Sequence, residues 1–285
     1  MNNVGKGAIF VATYSRAEDL DRSLNSIVAA RGKRETPLIV IHQQGYSQVS
    51  ETIKKWRKHI QILVETETQG KTALQNINLN SLLGREIAFS WLNSDWCFGI
   101  EDDVQVSIDS IDFVEHMFDR YHGNIFFRGV NLGSKLPYRV GKLPAYAKLS
   151  FGMHGQASMI TRQTWSHFNI SKLRSKSDLM GLDAMMEHFT KTGFMCTPYI
   201  SRYLDNGWNG THSSKDPNDP HYQLIRNSFY DGQDPKPIEY RLEKFDTNWR
   251  KDSRKFSYVK IIPILIRNKV GHYRFQIRKY TNSQH

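Results

Sequence analysis

Apolar and polar positions follow two different spacings in the first hundred residues. Four short apolar runs have the length and composition of buried strands, and the stretches between them repeat apolar residues every three or four positions, which predicts helices. This alternation predicts an α/β protein with a parallel sheet and helices on both faces. We expect strands at 8–12, 37–41, 60–64 and 96–100, and helices at 18–30, 49–59 and 74–91.

The pattern is less regular beyond residue 105. A helix is predicted at 108–121, whereas 216–237 is rich in Asp, Pro, Asn and Gly and is typical of irregular structure. The sequence contains no internal repeat and no clear linker. We therefore predict one domain over 1–215, followed by a basic C-terminal extension over 216–285.

Composition places the 285-residue chain among ordinary globular proteins, with 39% hydrophobic and 24% charged residues. No apolar stretch approaches the roughly 20 residues that span a bilayer, and the opening residues lack a signal-peptide pattern. Two cysteines, Cys97 and Cys196, form no disulfide framework, which favours a reducing cytoplasm.

The formal net charge of +11 predicts an anionic partner, which is a phosphorylated substrate, an acidic membrane surface or nucleic acid. The sequence has neither zinc-finger spacing nor an RRM-type aromatic motif. We therefore expect no nucleic-acid partner.

The most informative feature is a run of three acids, Glu101-Asp102-Asp103, directly after the fourth predicted strand. Mg²⁺ and Mn²⁺ prefer such oxygen ligands and commonly bind one or two carboxylates together with substrate phosphates. Because adjacent residues of an extended strand point to opposite faces, we expect Glu101 and Asp103 on one side and Asp102 on the other. The alternative is that the acids cap the following helix, a common arrangement that says little about function.

The order of several motifs resembles the GT-A fold glycosyltransferases, most closely the N-acetylglucosaminyltransferase I-like family. Residues 8–27 have the family's first strand, Thr-Tyr-x-Arg sequence and helix, and the acid run resembles its metal-binding motif. Further matches follow in the same order: an acceptor loop and strand at 151–160, a catalytic-base segment at 181–186, and a strand with a glycine–histidine loop at 198–212.

The likeness spans about residues 8 to 214. It implies a GT-A (Rossmann-like) nucleotide-sugar-binding half over about 1–105 and an acceptor-binding half over 106–215.

The resemblance implies roles for individual residues. Asp103 would bind Mn²⁺ or Mg²⁺ with His212 as a further ligand, and Asp183 would be the general base that deprotonates the acceptor hydroxyl. A single such carboxylate implies direct displacement with inversion at the anomeric carbon. The nucleotide sugar would contact Thr13, Arg16, Gln43, Arg85, Glu101 and Asp102, and the acceptor would contact His154, Gly155 and Trp208.

Several of these residues have a structural alternative. Arg16 is alternatively a surface arginine at the start of a helix, although a helix N-terminus disfavours a cation. Arg85 is alternatively a solvated residue of a helix. Asp183 is alternatively an acid capping a helix. His212 is alternatively polar surface, and Trp208 a packing residue.

The chain departs from the family pattern at two places. Gln43-Gln44 replace an acid that recognises uracil. An amide can still hydrogen-bond a base edge, but its donor and acceptor pattern differs from that of an acid, so the sequence leaves the nucleotide base open. Leu182 stands where the relatives often have a second acid.

We therefore expect an inverting, metal-dependent hexosyl- or N-acetylhexosaminyltransferase of bacterial surface polysaccharide assembly. Its acceptor would be a glycan or a lipid-linked glycan. We expect a cytoplasmic protein whose basic tail, at 258–280, contacts the anionic inner face of the cell membrane.

Two alternatives stay open. A nucleotidyltransferase also pairs a nucleotide-binding sheet with acidic metal ligands, but here Gly5-Lys6-Gly7 precedes the first strand instead of following it. A non-catalytic basic protein that binds membrane or nucleic acid would explain the charge but not the acids at a strand end.

Overall fold

The computed structural model describes most of the first 207 residues and a few beyond them. The chain divides into two compact units, Met1–Arg241 and Leu242–His285. The described residues are 6–68, 70, 72–133, 146–150, 153, 156–177, 182, 186, 190, 192–198, 200–207, 216, 218, 229–232 and 241–242.

The first hundred residues form the predicted alternation of strands and helices. Strands β1 to β4 are mutually parallel, because β1 pairs with both β2 and β4, and β2 pairs with β3, in the same direction. The elements are β1 (Gly7–Thr13), α1 (Ala17–Arg31), β2 (Leu38–Gln43), α2 (Ser47–Trp56), β3 (Ile62–Thr66), α3 (Ala73–Glu86) and β4 (Trp96–Glu101).

The second half adds strands of both directions. Strand β8 is antiparallel to β4 and to β6, β9 is parallel to β6, and β7 is antiparallel to β9. The elements are β5 (Val104–Val106), α4 (Ser110–Tyr121), β6 (Phe127–Asn131), β7 (Tyr146–Ser150), β8 (Ala157–Thr161), α5 (Arg162–Ser166), α6 (Ile170–Ser175), β9 (Phe194–Pro198), β10 (Tyr203–Asp205) and the short β11 (Arg241–Leu242).

The described strands make one large sheet and one small one. The large sheet has the order β11-β7-β9-β6-β8-β4-β1-β2-β3, and β5 pairs with β10 in a separate two-stranded sheet. Right-handed crossovers place α1 and α2 on one face of the large sheet, since both connections step outward. The crossover through α3 returns past β1 and therefore lies on the other face.

Both faces of the central strand are buried. Ala8 and Phe10 cluster with Leu82 of α3 on one face, and the alternate residues Ile9 and Val11 are fully buried on the other. The predicted fold class, an α/β Rossmann-like sheet with helices on both faces as in the GT-A fold, is confirmed. The parallel sheet predicted for the N-terminal half is also present, whereas in the second half β8 and β7 are antiparallel to their neighbours β4 and β9.

Two predicted helices change geometry before they end. The helix expected at 49–59 is α-helical to Trp56 and continues as a 3₁₀ turn over Arg57–His59. The helix expected at 74–91 becomes a π-helical turn over Ile87–Trp91. In the described part of the chain, no helix has the length and apolar character to cross a membrane.

A buried ion pair joins the segment after β5 to the segment before β10. The side chain of Arg202 is inaccessible to solvent, and its Nε donates to Asp109 Oδ2 at 3.0 Å. Its guanidinium also lies over the ring of Phe113, 4.6 Å from the centroid. The backbone of Arg202 accepts a hydrogen bond from Ser107 and donates one to Leu132, so this residue fixes where β10 begins.

Asp109→Asn removes the charge that compensates the buried guanidinium of Arg202. We expect the free energy of unfolding to fall by about 3 kcal/mol, the usual cost of removing one charged partner from a buried ion pair. Urea unfolding followed by circular dichroism measures it. Asp112→Asn is the matched control, because Asp112 pairs with Arg34 at the surface and such pairs contribute about 1 kcal/mol or less. Equal losses in the two variants would contradict the assignment.

Candidate functional site

The candidate site lies where the order of the parallel strands reverses. From β1 the chain moves outward to β2 and β3, then returns to place β4 on the other side of β1. Ligands of open α/β sheets bind at such a switch point, beyond the carboxyl ends of the strands. Ala12 of β1 lies beside Glu101 of β4, so the loop after Thr13 and the acid run emerge together.

Arg16 binds both aspartates of the acid run. Its Nη2 lies 2.9 Å from Asp102 Oδ1, and its Nη1 donates to Asp103 Oδ2. The backbone N–H of Tyr14 donates to the second oxygen of Asp102 at 3.2 Å. Both aspartates are buried, whereas 31% of the Arg16 side chain is exposed. A cation at the start of α1 is therefore stabilised by carboxylates from the turn after β4, 86 and 87 positions away.

The expected alternation of faces along the acid run and the alternative of helix capping are both wrong. Strand β4 ends at Glu101, and Asp102 and Asp103 form a turn, so the alternation of faces stops and one arginine reaches both aspartates. The acids do not cap α4, because β5 and the buried Ser107 lie between them and the helix.

A fourth carboxylate, Asp205, comes from the small sheet. Strand β10 pairs with β5 and places Asp205 opposite Val104. The Asp205 carboxylate accepts hydrogen bonds from the Gly207 backbone at 2.6 Å and from the Gln156 side chain, and the Asn206 backbone donates to the Asp103 carbonyl at 2.9 Å. Sequence reasoning missed Asp205 and Gln156, since the pairing of β10 with β5 has no local signal beyond the Asn-Gly turn that follows β10.

Gly207 has no room for a side chain. A Cβ at this position would overlap Asp103 Oδ2 and lie 2.9 Å from Asp205 Oδ1. The backbone of the turn therefore rests directly on two carboxylates. Glycine is the residue that permits this approach.

The crowded acids have raised pKa values. Loss of hydration and the charges of Asp102 and Asp205 raise the pKa of Asp103 to about 7, against the opposing effect of Arg16. The Glu101 side chain is accessible to solvent, yet the surrounding protein removes much of its hydration. This desolvation, with the charges of Asp103, Asp102 and Asp205, raises its pKa to about 8. Desolvation also raises the pKa of Asp102, although Arg16 and the Tyr14 N–H oppose the shift.

Desolvation alone would lower the pKa of Arg16, but the surrounding carboxylates outweigh it and raise the pKa. Arg16 is therefore the charge that keeps this acid cluster partly neutralised.

The other described candidates lie at different depths. Gln43 ends β2 and is buried, its Nε2 donates to Thr68 at 2.9 Å, and its Oε1 has no partner among the described residues. Thr13, also buried, ends β1 beside His42 of β2. Arg85 is buried inside the protein, with its guanidinium 4.8 Å from the centroid of the Phe10 ring. The alternative that Arg85 is a solvated helix residue is therefore wrong.

The donor set suits a hard divalent cation. Asp103 Oδ1 is buried and has no hydrogen-bond partner in the described part of the chain. Among the described residues, no three His, Cys, Asp or Glu side chains are arranged so that they could hold a metal ion together. Mg²⁺ and Mn²⁺ sites at nucleotides need only one or two carboxylates, since phosphates and water complete the shell. Asp103 fits this kind of site.

Five candidates, Asp183, His154, Gly155, Trp208 and His212, lie outside the described residues, as does the predicted basic tail. Asp183 follows Leu182, whose backbone N–H donates to the buried side chain of Asn78 at 2.9 Å. The Asn78 side chain also donates to the Ser177 carbonyl at 2.7 Å. This anchor from α3 was also missed from the sequence.

Comparison with known proteins gives distant structural likenesses. No protein-family model matches the chain, and no curated protein does. S. aureus TarS 1-349 aligns with a TM-score of 0.46 and 13% identity over 70% of this chain and 59% of that one. S. aureus TarS aligns with a TM-score of 0.46 and 12% identity over 70% of this chain and 36% of that one.

The mannosyltransferase PcManGT from Pyrobaculum calidifontis, in complex with GDP-Man and Mn²⁺, gives a TM-score of 0.46 and 12% identity over 70% and 58%. The chain spans 36% to 59% of the length of these proteins.

The raised carboxyl pKa values predict a stability that falls with rising pH. The contribution of these groups to the free energy of unfolding is complete below about pH 4, the pKa of such groups in the unfolded chain. It is lost as the pH rises through the folded-state pKa values, about 7 for Asp103 and about 8 for Glu101. Urea unfolding between pH 5 and pH 8 measures the slope. Asp103→Asn removes one titrating group and relieves its neighbours, so its slope is expected to be shallower. An unchanged slope would show that Asp103 titrates normally.

Gly207→Ala forces a methyl group against Asp103 and Asp205. We expect a loss of about 1–3 kcal/mol in the free energy of unfolding, the usual cost of overpacking, because Arg16 restrains the overlapped carboxylate. Gly123→Ala is the control, since a Cβ there meets nothing within 4 Å, and its effect should stay within about 0.5 kcal/mol. A neutral Gly207→Ala would mean that the turn does not rest on the acids in solution.

Proposed function

We propose that the protein is a glycosyltransferase that moves a sugar from a nucleotide sugar to an acceptor hydroxyl, with a divalent metal ion and inversion of configuration. One observation carries the proposal. The acid run and Arg16 meet at the switch point of the sheet, where a nucleotide is expected to bind. Carboxylates for a cation and a guanidinium for phosphate are the two groups that a diphosphate leaving group needs.

The donor would lie across the carboxyl ends of β1, β2 and β4. Arg16 is partly exposed and presents a planar guanidinium, which pairs with phosphate oxygens in a two-pronged manner. The unpartnered Oε1 of Gln43 offers an acceptor to a base edge that carries an N–H donor. Uracil, thymine and guanine have such an N–H in the ring, so sugars on these bases are the favoured donors.

Asp103, through its unpartnered oxygen, would hold Mn²⁺ or Mg²⁺. When bound, the ion supplies neutralisation of the charge that grows on the leaving diphosphate. Glu101 lies at the solvent-accessible side of the cluster, where it can contact the donor sugar or ribose. Asp102 keeps Arg16 in place through the 2.9 Å ion pair.

Asp183 is proposed as the general base. It would take the proton of the acceptor hydroxyl while that oxygen attacks the anomeric carbon from the side opposite the departing diphosphate. His154, Gly155 and Trp208 are proposed to contact the acceptor, and His212 to assist Asp103. A glycan or lipid-linked glycan of a bacterial surface polysaccharide is the proposed acceptor, reached from the cytoplasm with the basic tail at the membrane.

The direct test is a panel of UDP-, GDP-, CMP- and dTDP-sugars with Mn²⁺ or Mg²⁺, in which binding and slow hydrolysis are measured. We expect one donor to be used, and Asp103→Ala to reduce kcat/KM by about 10²- to 10³-fold, as when one electrostatic stabiliser of a transition state is lost. Asp112→Ala, an exposed acid on α4, is the control and should behave like the wild type. If no donor binds, or if Asp103→Ala keeps full activity, the proposal is wrong.

A further inference from the structure

The acid cluster already holds a cation of the protein. Two nitrogens of Arg16 are used on two different carboxylates, Asp102 and Asp103. Only one oxygen of Asp103 is engaged in this way, and the other is buried without a partner among the described residues. The cluster thus presents a buried carboxylate oxygen, Asp103 Oδ1, that can still accept a bond, and it lies beside an arginine that is partly exposed to solvent.

In the described part of the chain, more carboxyl groups than cations meet at this point. Glu101, Asp102, Asp103 and Asp205 converge within one turn and two strand ends, and Arg16 forms the ion pairs with the two central aspartates. A second cation is therefore attracted to the cluster. A divalent ion on Asp103 would lie next to the guanidinium, however, and like charges at such short range repel strongly in a poorly hydrated site.

We propose that Arg16 and the divalent cation compete for Asp103, so that the nucleotide diphosphate is what lets both bind. This inference rests on the proposed function and deepens it by setting the order of assembly. Without a diphosphate, Arg16 occupies Asp103 and opposes the metal. With a diphosphate, the phosphate oxygens give Arg16 an alternative partner and supply further ligands for the ion.

Linkage makes the proposal quantitative. If the diphosphate strengthens metal binding, the metal strengthens diphosphate binding by the same factor. Removal of the guanidinium should raise the affinity of the free protein for metal and shrink this coupling. A purely structural arginine would do neither, since its loss would loosen the acids and weaken the metal site.

The experiment measures Mn²⁺ binding by electron paramagnetic resonance, without turnover. In the absence of nucleotide, Arg16→Gln should bind Mn²⁺ at least tenfold more tightly than the wild type, and Asp103→Asn should show no site. Arg22→Gln is the matched control, because it removes the same charge from α1, the helix that follows Arg16, at an exposed residue paired with Asp19. Arg16→Lys keeps the charge and should bind Mn²⁺ as weakly as the wild type.

A second arm uses UDP and GDP as probes. The wild type should bind Mn²⁺ at least tenfold more tightly with a saturating nucleoside diphosphate than without, and this factor should be smaller in Arg16→Gln. Equal or weaker Mn²⁺ binding by Arg16→Gln overturns the proposal, as does the absence of a Mn²⁺ site in every protein. If Arg16→Gln fails to fold, the wild type is tested alone. A ratio near one between its Mn²⁺ affinities with and without the nucleoside diphosphate then rejects the proposal.

The two proposals can fail separately. Sugar transfer that needs no metal would leave a transferase but reject the competition for Asp103. Tighter Mn²⁺ binding by Arg16→Gln without transfer of any sugar would leave the competition in place and reject the transferase.

Discussion

The ion pair between Arg16 and the two aspartates is the constraint on which the rest of the site depends. Carboxylates that are buried at a strand end lose hydration, and without a compensating charge they would be protonated or expelled to the surface. Arg16 supplies that charge from the start of α1. The arginine thereby couples the loop after β1 to the turn after β4, the two segments that flank the switch point of the sheet. A structure that kept the strands but lost this pair would keep its fold and leave the acids to bind another cation or to take up protons.

The small sheet brings the rest of the cluster into place by different means. Asp205 reaches the acids because β10 pairs with β5, and β10 begins where the buried Arg202 meets Asp109. Gly207 then lets the backbone lie against the carboxylates. Packing around Arg202, the pairing of β10 with β5 and the lack of a side chain at Gly207 thus bring the carboxylates together. The pKa values of Asp103 and Glu101 are raised because lost hydration and the neighbouring carboxylates destabilise their charged forms.

Local pattern was enough to predict the parallel half of the fold. Runs such as 8–12 and 96–100 are apolar because both faces of their strands are covered, and this is visible without any long-range information. The acid run could be found for the same reason, since it follows such a run directly. The direction of β8 and the pairing of β5 with β10 could not be predicted, because register between distant segments leaves no local period. The partner of Arg16 and the contribution of Asp205 depend on those long-range contacts and were missed.

The reversed direction of β8 has a consequence for how the site can change. Because β8 is antiparallel to β4, its first residues lie at the edge where the acids emerge, and the Gln156 carbonyl accepts a hydrogen bond from the Glu101 N–H at 3.0 Å. A slip of one residue in this pairing would move Gln156 about 3.3 Å and turn its side chain to the other face. Insertions on either side of β8 therefore differ in their effect. One before it reshapes the ligand edge directly, whereas one after Thr161 falls at the opposite edge of the sheet, where Thr161 caps α5 and the Arg162 N–H donates to the Asp95 carbonyl.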